Sequence, residues 1–99
     1  MIASIYRYQL DIGYKHVINL PSVHFVLSCA PARDSYAIDM WVEVHESDTT
    51  HDETFFIVGT GHPMPTWSDN CTPETVTFVG TCVMSDGFVW HLYKKGSTL

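Results

Sequence analysis

Apolar residues recur at every second position along this chain, and nowhere at helical spacing for more than a turn. Period two is the signature of strands with one covered face. Over Ile5 to Ile12, Tyr6, Tyr8, Leu10 and Ile12 share one face and Arg7, Gln9 and Asp11 the other, before Gly13 punctuates the run. Lys15 to Leu20 predicts a second strand with His16, Ile18 and Leu20 on one side, ended by Pro21-Ser22. Val23 to Ala30 predicts a third, with Val23, Phe25, Leu27 and Cys29 as its apolar face. The alternation is cleanest from Tyr36 to His45. There Ile38, Met40, Val42 and Val44 face in, Asp39, Glu43 and His45 face out, and Trp41 shares the outer face.

The pattern changes at Phe55. Phe55-Phe56-Ile57-Val58 is a continuous apolar run, so this fifth strand is predicted to be covered on both faces. The polar stretch before it, Glu46 to Glu53, reads as a hairpin loop. The strand stops at Gly59-Thr60-Gly61-His62-Pro63-Met64-Pro65, where glycines remove side chains and prolines remove backbone donors. Pro63 also biases His62 towards extended backbone. From His62 to Pro73 the chain reads as an irregular loop with Trp67 exposed in it, and loops of about this length are often functional.

Asp86-Gly87 between two strand-like runs signals a two-residue type I′ hairpin. Its register sets Met84 against Val89, Val83 against Trp90, Cys82 against His91 and Gly80 against Tyr93. Val79, Val83, Phe88, Trp90 and Leu92 then share one face, and Phe78, Cys82, Met84, Val89, His91 and Tyr93 the other. Val58-Gly59-Thr60 and Val79-Gly80-Thr81 repeat a tripeptide, too short to establish an internal repeat but suggestive of two equivalent strand ends. Six to seven short antiparallel strands with little or no helix predict an all-β fold, a small sandwich or roll. With 99 residues the chain is expected to be one domain, 1–99.

Composition narrows the function. The chain is 45% hydrophobic and 16% charged, which is globular. Its apolar runs are far too short to span a bilayer as a helix, so no membrane partner is expected. The net charge is −6, and ten of the eleven acids lie between Asp34 and Asp86 with no Lys or Arg among them. A nucleic-acid binder needs a basic footprint, so nucleic acid is excluded as a partner. An acidic face could instead meet a basic protein. The three cysteines, Cys29, Cys71 and Cys82, have no metal or redox spacing and read as reduced thiols. No secretory signal is visible at the N-terminus, so the default location is a cytoplasm.

The candidate chemistry is thin. Gly59-Thr60-Gly61 invites a phosphate-loop reading, but Pro63 and Pro65 forbid the helix that such a loop needs. His62 could act as a general acid or base if Asp39 or Asp69 oriented it. His45, Asp48, His51 and Asp52 form the densest set of metal-ligand types, with His45 and His51 as weak candidates on a loop without rigidity. The Cys82–His91 pair lacks the third group of a nucleophilic site. No catalytic residue, cofactor or metal is expected, and the chain reads as a non-enzyme. Gly59, Thr60, Gly61, His62, Pro63 and Trp67 are the candidate ligand- or partner-binding residues.

Ile5-Tyr6-Arg7-Tyr8-Gln9-Leu10, Phe56 to Pro65, and Phe78-Val79-Gly80-Thr81 with Phe88 to Tyr93 together resemble a family of small proteins of bacteriophages and prophages. The Gly-Thr-Gly-His-Pro segment is the specific part of that resemblance. It implies synthesis in a bacterial host cytoplasm and carries no activity with it. Three roles are open: a module that binds a host or phage protein, a minor virion or assembly component, and a small-ligand binder or hydrolase using the His62 loop. A homodimer held by a strand edge or an apolar sheet face is expected, because seven strands leave edges and faces uncovered.

Overall fold

Every regular element in the computed structural model, which describes residues 2–64 and 76–96, is a β-strand. They are β1 (Ala3–Asp11), β2 (Lys15–Pro21), β3 (His24–Pro31), β4 (Ala37–His45), β5 (Thr50–Gly59), β6 (Val76–Val83) and β7 (Val89–Lys95). They form two antiparallel sheets, one in the order β1-β4-β3 and the other in the order β2-β5-β7-β6. The all-β architecture expected from the alternation is the one observed.

The core lies between the sheets. Leu10, Leu20, Ile38, Met40, Val42 and Val44 meet Phe55, Ile57, Cys82, Met84 and Leu92, all buried. The faces read for β1, β2 and β4 hold at these positions, and the β1–β4 and β2–β5 registers run unbroken. β5 is covered on both sides, as its apolar run requires. Phe55 and Ile57 fill the main core, while Phe56 and Val58 form a second cluster with Met64, Val76 and Tyr93 on the other face.

Four details differ from the sequence reading, each for a local reason. First, β5 begins at Thr50, so Thr50–Glu53 is strand and not loop. These polar residues pair with Pro21 to Ile18 of β2, and Asn19 Nδ2 donates to Asp52 Oδ1 at 2.9 Å. Strand pairing, not hydrophobicity, makes this end of β5. The preceding connection also joins different sheets, so it is a crossover and not a hairpin.

Second, β3 presents His24, Val26 and Cys29 inward, while Val23, Phe25 and Leu27 are exposed. Its register with β4 slips between Val26 and Ser28, and this bulge at Leu27 reverses the phase. Third, a bulge between Phe78 and Gly80 leaves Phe78 exposed and turns Val79 to the core.

Fourth, the last hairpin has a three-residue turn. Gly87 N–H donates to Met84 O at 3.0 Å and Met84 N–H to Phe88 O at 2.9 Å, with Gly87 at φ +92°. Asp86 Oδ1 accepts the Phe88 N–H at 3.0 Å, so the Asp-Gly pair serves this longer turn equally well. The pairs become Val83–Val89, Cys82–Trp90, Thr81–His91, Gly80–Leu92 and Phe78–Tyr93. This one-residue slip puts Cys82 and Met84 on the core face with Trp90 and Leu92 and leaves Val83 outside.

Candidate functional site

β5 ends in the turn that carries Gly59, Thr60, Gly61, His62 and Pro63. His62 N–H donates to Gly59 O at 2.9 Å, and Gly61 sits at φ +87°, a backbone state that favours glycine. The His62 ring lies over the vacant side-chain position of Gly59. A Cβ there would come within 2.7 Å of the imidazole and 3.0 Å of Trp90. His62 and Trp90 meet edge to face at 6.0 Å, and the Trp90 Nε1–H donates to the Tyr36 hydroxyl at 3.3 Å. The turn is thus docked on the aromatic rim of the sandwich. Trp67 and Asp69 lie outside the described residues.

Thr60 points the other way and brings in a residue that the sequence reading misplaces. His91 lies between Thr60 and Thr81. Thr60 Oγ1 is 2.9 Å from Nε2 and Thr81 Oγ1 is 2.9 Å from Nδ1. The two Val-Gly-Thr tripeptides sit on either side of β7, which explains their likeness: each supplies a threonine to the same imidazole and a glycine where the backbone is crowded. A neutral imidazole satisfies both hydroxyls, donating from one nitrogen and accepting at the other. The repeat was the available signal; the shifted hairpin register hid its target.

Cys82 does not face His91. Its sulfur lies 3.6 Å from Cys29 Sγ of the opposite sheet, and both thiols are free. Gly80 makes room, since a Cβ there would stand 2.8 Å from Cys29 Sγ. Burial raises the Cys82 pKa to about 12 and also raises that of Cys29, so both are protonated and poor nucleophiles at neutral pH.

The acidic candidates are engaged elsewhere. Asp39 is buried, accepts from Gln9 Nε2 at 3.4 Å and lies 3.8 Å from Arg7 Nη1, so it does not orient His62. Glu53 lies between the sheets, 3.2 Å from Lys94 Nζ and 3.7 Å from His24 Nε2, and His24 Nδ1 is 2.7 Å from Pro21 O. His45 bonds Glu43 at 2.7 Å on β4, whereas His51 sits exposed on β5 of the other sheet. Among the described residues, no group of three or more His, Cys, Asp or Glu side chains is placed to hold a metal ion. A cleft of about 320 Å³ beside His62 is lined by Tyr14, Ile57, Val58 and Pro63, so among the described residues its polar side chains are an imidazole and a phenol.

The outer face of the three-stranded sheet is different in kind. Ile5 and Phe25 flank Glu43 in one row, and Arg7 and Ser28 flank Trp41 in the next. Ile5 is 60% exposed and Phe25 43%, and the Phe25 ring meets His45 edge to face at 5.7 Å. Large apolar side chains interleave there with an arginine and a carboxylate. Exposed apolar side chains mixed with charged ones are the composition typical of protein-binding patches.

No curated protein and no solved structure matches the chain. A family model covers residues 1–98, and the chain belongs to that family, described as a domain of unknown function, DUF7352.

Proposed function

We propose that the protein is a non-enzymatic interaction module, a small phage-encoded accessory protein that binds a host or phage protein in the bacterial cytoplasm. The observation that carries this reading is the outer face of the β1-β4-β3 sheet, with Ile5 and Phe25 exposed on both sides of Glu43. Aromatic, aliphatic and arginine side chains together are the composition of protein-binding patches. Three of the other reactive groups among the described residues are already engaged: His91 is held by two threonines, Cys82 by burial, and Glu53 by Lys94 and His24. The phage origin is supported by the family resemblance alone, carried by Ile5–Leu10, Phe56–Pro65, Phe78–Thr81 and Phe88–Tyr93.

The test is capture from bacterial lysate on immobilised protein, followed by reconstitution with the purified partner. Phe25→Glu, chosen because Phe25 is outside the core, is expected to weaken the reconstituted complex by at least about tenfold while its melting temperature stays close to wild type. Equal binding by the variant would remove this face from the account.

The cleft beside His62 favours a second reading, a binder of a small apolar ligand. Chemical-shift changes at Ile57 and Val58 on addition of an apolar fragment set would support it; none across the set would end it.

A further inference from the structure

Four strands stand at sheet edges, and three of them are defended. β3 carries the bulge at Leu27 and ends in Pro31, β6 carries the bulge beside Gly80, and these two strands pack on each other. β2 is short and closes with Pro21. β1 has none of these devices: nine residues, no proline, glycine or lysine, and an unbroken register from Ala3–His45 to Asp11–Ala37.

The phase of its free edge can be read. Glu46 N–H donates to Ile2 O at 2.9 Å, so Ile2 and, by alternation, Ser4, Tyr6, Tyr8 and Leu10 turn their backbone groups to β4. Those of Ala3, Ile5, Arg7, Gln9 and Asp11 therefore point away from the sheet. Asp11 O agrees, since it takes His16 Nε2 at 2.8 Å from outside. Among the described residues no strand pairs with this row.

We infer that the occupant is β1 of a second copy, paired antiparallel about Gln9 to give a continuous six-stranded sheet. Charge chooses both the occupant and the register. β1 lies outside the acidic block of a chain with net charge −6, and its only charges are Arg7 and Asp11, of opposite sign and four residues apart. Pairing about Gln9 sets Arg7 against Asp11 of the second copy, twice, whereas pairing about Arg7 would oppose two arginines. The same register lays Tyr6, 54% exposed, against Ile12 of the second copy, and Tyr8 against Leu10. The second lone pair of Asp11 O remains open to the Arg7 N–H beside His16. This association is independent of the protein partner proposed above.

Sedimentation equilibrium of the full chain at micromolar concentration tests it. The wild type is expected at twice the 11.2 kDa chain mass. Asp11→Arg, which sets arginine against arginine, is expected to weaken association by about tenfold or more, and Arg7→Asp with Asp11→Arg to restore it. Gln9→Pro removes an outward N–H at the centre of the pairing and is expected to give the single-chain mass. Circular dichroism reports whether each variant keeps its strands. A wild type that stays at the single-chain mass overturns the inference. So do folded Asp11→Arg and Gln9→Pro variants that dimerise as wild type, or a folded double variant that does not recover.

Discussion

The two sheets of this sandwich bury their central strands to different depths. In the four-stranded sheet, Phe55 and Ile57 of β5 fill the main core while Phe56 and Val58 are covered by a second cluster. In the three-stranded sheet, Ile38, Met40, Val42 and Val44 of β4 fill the same core, but among the described residues the outward row Asp39, Trp41, Glu43 and His45 is flanked by the side chains of β1 and β3 and by no second cluster. Among the described residues, one sheet is covered on both faces, whereas the other is covered on one and leaves its second face and the edge of β1 exposed. A continuous apolar run marks the first kind of strand and strict alternation the second.

The strongest challenge to this contrast is a pair of truncations. Phe55→Ala is expected to destabilise the fold by about 3–5 kcal/mol, because it opens a cavity in a closed core. Phe25→Ala, on the open face, should fall within about 0.5 kcal/mol of wild type. Urea unfolding of both would erase the distinction if the two losses were alike.

The seam between the sheets gives the next effect. Gly80→Ala drives a Cβ towards Cys29 Sγ and should cost about 1–3 kcal/mol, with part recovered when Cys29 is also alanine. Gly59→Ala meets the exposed His62 ring, which can swing away, so its cost should be smaller. Thermal unfolding of the three variants separates a tight seam from a loose rim. Within the four-stranded sheet alone, Thr60→Val and Thr81→Val should each cost about 0.5–1.5 kcal/mol through His91, measured by the same unfolding curves.

The last effect is confined to alkaline pH. The Cys82 thiol titrates near the ordinary cysteine value when unfolded and at about 12 when folded. Above pH ~8.5 the unfolded chain releases this proton and the folded one keeps it, so its contribution is full below that pH and declines as pH rises towards 12. Unfolding midpoints of Cys82→Ala should fall less steeply over that window than those of wild type.

Much of the fold is legible in the sequence wherever pairing runs without interruption. β1, β2 and β4 show their inner faces by alternation, and Phe55–Val58 shows double burial by its lack of it. The misses are one-residue events. The bulges at Leu27 and Val79 and the extra residue in the Ser85-Asp86-Gly87 turn each reverse a face, and they depend on the opposite strand rather than on local composition. The Gly59–Pro63 turn is legible because its glycines and proline act locally. The clamp on His91 is not, because it joins residues 10 and 31 positions apart through a register that only the folded hairpin fixes. The open face was partly visible in Trp41, but Phe25 reaches it only through the reversed phase of β3.

Amide hydrogen exchange along β1, followed residue by residue at two protein concentrations, tests the open edge most directly. The account predicts that the amides of Tyr6 and Tyr8, paired with β4, exchange slowly at both concentrations. Those of Arg7 and Gln9 should exchange fast in dilute solution and become protected as concentration rises. Exchange at Arg7 and Gln9 that is fast, or slow, without regard to concentration would contradict it.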